Sequence, residues 1–246
     1  MKKPVIKKLF VILCLPLVLA ACASDSAVKK SAAETEYAEM KRLLAKGNYS
    51  AVNLQLETFG SKHPYSQYTI QAELLHIFAA YKGGEYILSE TLSKEFVRRH
   101  PHHPNVDYAQ YMLGMSHYRE ASPSEKDQAQ SLAAIDNFKI LLKKYPKSAY
   151  AKDGFRRLQR LYNRLAGHEL NVGKFYFERR RYVAAANRFQ VVLEKYQTTP
   201  AIEESLYYLA AAYAKLGIKD ESHNSALLLR YNYPKSEWSR KAARFL

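Results

Sequence analysis

Cysteine is nearly absent from this chain: 246 residues hold two, Cys14 and Cys22. That shortage excludes a disulfide framework and a cysteine-based metal site. A Gly-x-x-x-x-Gly-Lys-Ser/Thr phosphate loop, a Gly-x-Ser-x-Gly elbow and a His-Glu-x-x-His helix are also missing, so the commonest nucleotide-binding and hydrolytic chemistries have no anchor. The pair His168-Glu169 does not replace them, because neighbours on a helix point to different faces. His100, His102 and His103 lie beside Pro101 and Pro104, but a metal needs several ligands converging inside a shaped second shell. That turn is expected to pack between repeats. No catalytic residue, cofactor or metal is expected.

An apolar run long enough to cross a bilayer is lacking as well. The uncharged stretch Leu9 to Ala21 follows Lys2, Lys3, Lys7 and Lys8, is interrupted by Pro16, and falls short of the roughly 20 residues a spanning helix needs. It reads as a signal peptide. Its end, Leu19-Ala20-Ala21-Cys22, resembles a bacterial lipobox, which implies cleavage before Cys22 and lipid attachment to it. Ala23 follows, where aspartate would resemble an inner-membrane retention signal, so the outer membrane is the expected address. Residues 1–21 are then a cleaved signal, 22–33 a lipidated polar tether and 34–246 the folded part. Cys14 leaves with the signal, and multi-chain acylation holds the remainder at the membrane surface.

What the chain has in abundance is a repeated register. Tyr49 precedes Pro64, Tyr86 precedes Pro101, Ser131 precedes Pro146 and Lys219 precedes Pro234, each by fifteen positions. A fifth copy runs from Tyr182 to Gln197, with its proline displaced to Pro200. Within the windows the third, seventh and tenth positions read Val52-Leu56-Phe59, Ser89-Ser93-Phe96, Ala134-Phe138-Leu141, Ala185-Phe189-Val192 and Ser222-Ala226-Leu229. That spacing is one helical face, small at its start and larger at its end. A ring (His63, His100, Tyr145, Tyr196 or Tyr233) closes each window before the residue that stops the helix.

The segments Ser66 to Tyr81, Asp107 to Arg119 and Glu203 to Leu216 supply the second helix of each unit, with tight turns at Gly47-Asn48, Gly83-Gly84 and Gly217-Ile218. Two spacings, Pro64 to Pro101 and Gln197 to Pro234, are 37 residues, near the roughly 34 of a tetratricopeptide (TPR) repeat. The polar stretch Ala121 to Asp127 lengthens one interval; in the longest, the helices around Ala166-Gly167 are expected to be extended. The fold class is all-α, a TPR-like superhelix of about five helix-turn-helix repeats.

Charge is concentrated in one place. The whole chain carries 38 Lys and Arg against 23 Asp and Glu. Residues 139–195 alone hold fifteen basic residues and four acids (Asp153, Glu169, Glu178 and Glu194). Such a window suits an acidic protein surface or anionic lipid, and export argues against nucleic acid. Arg179-Arg180-Arg181 at a helix turn and Arg188 in the next helix stand out, since guanidinium forks suit carboxylates. The tyrosines are mostly expected to fill gaps between helices; a subset such as Tyr68, Tyr108 and Tyr111 suits a concave contact surface.

The stretch His103-Pro104-Asn105-Val106-Asp107-Tyr108-Ala109-Gln110-Tyr111-Met112-Leu113-Gly114 closely resembles the BamD family of TPR lipoproteins in outer-membrane β-barrel assembly. A second match runs from Leu165-Ala166-Gly167-His168-Glu169 through Val172 and Tyr176 to Tyr182-Val183-Ala184-Ala185-Ala186-Asn187-Arg188. Tyr145-Pro146-Lys147-Ser148, the lipobox and the repeats extend the likeness over essentially the whole chain. Three positions depart from the pattern: Gln197 stands for proline, Gly173 for alanine, and Arg180-Arg181 for a small turn pair. The resemblance implies a position on the periplasmic face of the outer membrane and partnership with the POTRA region of BamA, other Bam lipoproteins and unfolded outer-membrane β-barrel proteins. It implies a BamA contact at Arg188, with Asn187, Arg179 and Arg180 beside it. It also implies a substrate-peptide pocket in the N-terminal repeats, drawing on Tyr65, Tyr68, His76, Tyr108 and Tyr111. The alternative is a periplasmic TPR lipoprotein scaffold in cell-wall growth or division, which shares the repeats but not the two long motifs.

Overall fold

The computed structural model describes residues 31–121 and 128–246. The expected signal peptide, the expected lipidation site at Cys22, most of the expected tether and most of the polar stretch after Ala121 lie outside the described residues. Among the described residues every regular element is helical: α1 (Ala32–Ala45), α2 (Tyr49–Lys62), α3 (Thr69–Gly83), α4 (Tyr86–Arg99), α5 (Val106–Glu120), α6 (Ala129–Lys144), α7 (Ala151–Glu178), α8 (Tyr182–Lys195), α9 (Ala201–Leu216), α10 (Lys219–Asn232) and the short α11 (Glu237–Ala242). The solenoid begins at Ala32, slightly ahead of the expected boundary, because Ser31 caps α1 by accepting from the Glu34 amide. No described helix is long and apolar enough to cross a membrane.

Each helix packs on the next, and α3, α5 and α7 also pack on the helix two along, which makes a tandem stack of helix pairs. The even helices α2, α4, α6, α8 and α10 carry the repeated register, and all fifteen face positions from Val52 to Leu229 are buried. Phe59, Phe138 and Phe189 are fully enclosed. Small residues at the start of the face have a specific use in two repeats. The Ser89 hydroxyl donates to the Ile77 carbonyl at 3.2 Å, and the Ser222 hydroxyl to the Ala210 carbonyl at 2.9 Å. The even helix thus locks onto the backbone of the odd helix before it.

Small residues on the odd helices decide how near the pairs approach. A Cβ at Gly114 would lie 2.9 Å from the Phe138 ring, one at Gly154 2.8 Å from Leu141, and one at Gly173 2.4 Å from Phe189. Gly173 is therefore where the Phe189 ring sits, which is the physical reason alanine does not fit there. The expected extension around Ala166-Gly167 is a single helix, α7, of 28 residues, roughly 42 Å at 1.5 Å per residue.

The turns are built by backbone hydrogen bonds more than by residue type. His63, His100, Tyr145, Tyr196 and Tyr233 all leave the helix with φ between −132° and −124°, and each amide donates back to the tenth position of its window. The amides of Ser66, His103, Ser148, Thr199 and Ser236 then donate to the ring residue's carbonyl. Tyr196 does this before Gln197 as well as the others do before proline, and the Thr199 hydroxyl adds a bond to the Tyr196 carbonyl at 2.8 Å. Inside the pairs, Gly47, Gly84 and Gly217 take φ near +80°, where a side chain is strained. Arg180 occupies the same place between α7 and α8 at φ 58°. Its amide donates to Phe177 and that of Arg181 to Tyr176, matching Gly217 to Ala214 and Ile218 to Tyr213.

Phe189→Ala is expected to destabilise the protein by about 3 kcal/mol more than Glu194→Ala. Gln190 is a poorer control than its position off the face implies, because its amide donates to the Tyr213 hydroxyl at 2.8 Å. Gly173→Ala is expected to cost about 1–3 kcal/mol through overpacking on the same ring. Urea denaturation of the purified variants measures both; a Gly173→Ala variant as stable as wild type contradicts the close approach.

Candidate protein-docking site

The α7–α8 hairpin carries the expected partner residues, and the structure treats them unequally. Arg179 ends α7 with its guanidinium 3.5 Å above the centre of the Phe175 ring, and its Nη1 donates to the Phe175 carbonyl at 3.3 Å. It is held against its own helix. Arg180 is exposed at the tip of the turn in the left-handed conformation, and Arg181 opens α8. Three adjacent arginines are therefore not three equivalent free forks.

One turn into α8, Asn187 is exposed and Arg188 is partly so. Arg188 Nη1 donates to Glu169 Oε2 at 3.0 Å, with 43% of the arginine side chain exposed against 10% of the glutamate's. One edge of the arginine fork is thus engaged within the chain. Beside it opens a cavity of about 370 Å³ lined by Tyr176, Ala184, Asn187, Arg188 and Val191. Further along α7, Lys174 reaches Glu204 on α9 at 2.6 Å, and that hydrogen bond holds the ammonium above its ordinary pKa.

The five residues expected to share a substrate pocket fall in separate surroundings. Tyr65 is fully exposed. Tyr68 stacks on Tyr37 of α1 at 5.2 Å, in the core of the first repeats. Tyr108 and Tyr111 gather around Tyr150 at 5.4 and 5.0 Å. The Tyr111 hydroxyl donates to Asp153 at 2.7 Å, and Arg157 donates to the same oxygen at 2.6 Å. Burial works against the Asp153 carboxylate, but these two bonds leave it below its usual range. Burial raises both tyrosine hydroxyls well above theirs. The structure brings Tyr108 and Tyr111 together with Tyr150, Asp153 and Arg157, partners that sequence reasoning missed because they lie about 40 residues away on α7.

His76 is buried on α3, with no hydrogen-bond partner on Nε2. Two of the three proline-flanked histidines pack, and His102 is exposed: His100 lies 3.1 Å from Glu73 and its ring 4.9 Å from Phe96, while His103 accepts from the Asn105 amide. His63 and Glu36 repeat the His100–Glu73 pairing one repeat earlier, at 2.8 Å. Among the described residues no three His, Cys, Asp or Glu side chains are placed to hold a metal.

Residues 29–228 match the model of a family described as outer membrane lipoprotein, YfiO. The chain belongs to this family. Among its relatives is the outer membrane protein assembly factor BamD of Neisseria meningitidis serogroup A, 34% identical over 94% of this chain and 92% of that one. The protein of the same name from Rickettsia prowazekii is 32% identical over 98% and 96%. A third, from Vibrio cholerae, is 31% identical over 90% and 96%. Among solved structures, the TPR2AB domain of yeast Sti1 in its pHSP90 complex superposes with a TM-score of 0.42 at 15% identity, covering 85% of this chain and 81% of that one. That match is too loose to carry an argument.

Both long motifs that resemble the BamD family now have physical roles. Asn105 to Gly114 is the first half of α5, ending at the glycine that receives Phe138. Leu165 to Arg188 is the α7–α8 hairpin itself: Glu169 pairs with Arg188, Gly173 receives Phe189, and the Tyr176 carbonyl closes the turn. Glu169 was detectable in the sequence as the continuation of the buried Leu158, Leu161 and Leu165 stripe, an acid where an apolar residue is expected.

Burial lowers the His76 pKa more than the nearby Glu57 and Glu85 raise it. The unfolded chain then binds the proton first, so stability is full above the ordinary histidine value of about 6.5 and falls as pH drops below it. Wild-type protein is expected to unfold at lower urea at pH 5.5 than at pH 7.5, and His76→Leu to flatten that slope. Equal slopes contradict the assignment to His76.

Proposed function

We propose that this chain is a non-catalytic scaffold of outer-membrane β-barrel assembly, anchored by lipid at Cys22 on the periplasmic face of the outer membrane. In this reading its C-terminal repeats dock the periplasmic POTRA region of BamA, and its N-terminal repeats help receive unfolded β-barrel proteins. The relatives' shared name, outer membrane protein assembly factor BamD, supports the role and membership in the Bam complex. The observation that carries the docking part is the hairpin: the longer of the two matching motifs folds so that Asn187 and Arg188 stand at the surface beside a cavity, with Glu169 of the same motif bonded to Arg188. The clustered tyrosines at Tyr108, Tyr111 and Tyr150 support a contact surface in the middle repeats, since ring faces offer large area at low entropic cost.

Arg188→Glu is expected to weaken binding to the isolated BamA periplasmic region by on the order of 2 kcal/mol, about thirtyfold in Kd, with unchanged helicity. Unaltered affinity at low and moderate salt removes Arg188 from the interface. For the anchor, Cys22→Ala is expected to abolish incorporation of labelled fatty acid, because the thiol is the acceptor. A mutant that still takes up label rules out lipidation at that residue.

A further inference from the structure

We infer that Glu169 is a positioning residue, holding Arg188 so that the α7–α8 cavity becomes a receptor for a single carboxylate side chain of the docked protein; this rests on the docking reading above. A guanidinium has five N–H donors in a rigid fork, and among the described residues only Nη1 of Arg188 is used. The other edge is left for a ligand. Glu169 is 8% exposed, and a carboxylate so deeply buried is costly unless a cation stays with it. The constraint is mutual: the buried acid needs the arginine, and the arginine loses the freedom that an exposed side chain otherwise has.

The backbone makes this pairing possible. Glu169 and Gly173 are one turn apart on α7, and Arg188 and Phe189 are adjacent on α8. The Phe189 ring seated on Gly173 draws the helices close, and the same approach brings Arg188 within hydrogen-bond range of Glu169. A Cβ at position 173 pushes both contacts apart.

The cavity's lining selects the ligand. Tyr176, Ala184 and Val191 give apolar walls for an aliphatic stem, and Asn187 and Arg188 give polar ends. The Nε–Nη2 edge of Arg188 presents two parallel N–H groups, the geometry in which a carboxylate is taken bidentately. The apolar walls beside that fork fit the short aliphatic stem of an aspartate or glutamate on a protein surface.

The test measures binding of the purified full-length protein to the BamA periplasmic region by stopped flow, with Glu169→Gln, Arg188→Ala, Arg188→Lys and the Glu169→Gln/Arg188→Ala double variant. Glu169→Gln removes a negative charge, so simple electrostatics makes an acidic partner bind more tightly. Positioning has the opposite result: dissociation about tenfold faster with association not slowed, a similar loss in Arg188→Lys, and no further loss from Glu169→Gln once Arg188 is alanine. In the free protein, wild-type Arg188 is expected to show resolved, slowly rotating Nη signals by NMR that collapse in Glu169→Gln. Tighter or unchanged binding by Glu169→Gln, or an equal loss in the Arg188→Ala background, overturns the inference while the docking reading stands. If Arg188→Ala itself binds as wild type does, the docking reading falls and takes the receptor with it.

Discussion

The contact between a large side chain on α6 or α8 and a glycine on the odd helix packed against it sets the spacing in the middle of the solenoid. Phe138 over Gly114, Leu141 over Gly154 and Phe189 over Gly173 leave no room for a Cβ. Between α3 and α4 and between α9 and α10 the close approach is marked instead by the serine-to-carbonyl bonds of Ser89 and Ser222. Burial of such rings, each worth a few kcal/mol, outweighs the small preferences of the turn residues. That ordering of magnitudes explains why turns with Gly47, Gly84, Gly217 and Arg180 share one hydrogen-bond pattern. A strained φ at Arg180 costs about 1–2 kcal/mol, less than the packing that imposes it.

The same approach of helices builds the proposed docking surface. In the N-terminal repeats cations pair with acids at half-exposed sites, as Arg42 does with Glu39 and Arg99 with Glu73. At the α7–α8 hairpin the pairing is instead between a buried acid and a half-exposed arginine. An exposed ion pair is worth little, whereas one with a buried member fixes geometry. The hairpin thus couples interior packing to surface chemistry through two neighbouring residues, Phe189 facing in and Arg188 facing out.

The repeat register was fully legible in the sequence, because ring, stop residue and i, i+4, i+7 face recur at fixed offsets and local rules govern all three. The extended α7 was legible from the long interval without a loop. The turn at Gln197 and the left-handed Arg180 were not, because their conformations are imposed by packing and backbone bonding. Glu169 was visible as an acid on an apolar stripe, but its partner lies 19 residues away on another helix, a distance that no local pattern spans. The tyrosine pocket was least legible: Tyr68 finds Tyr37 and Tyr111 finds Tyr150, ring pairings that depend on how repeats stack. Tyr108 and Tyr111 meet through Tyr150, whereas Tyr68 packs on Tyr37 and Tyr65 is fully exposed.

A photo-crosslinking amino acid placed at Asn187 in living cells tests the central claim most directly, since that side chain is exposed next to Arg188 and carries no packing load. The account predicts a crosslink to the BamA periplasmic region from position 187, with none from Glu194, also exposed, on the same helix. Position 187 giving no such adduct, or both positions giving it equally, would contradict a defined interface at the α7–α8 hairpin.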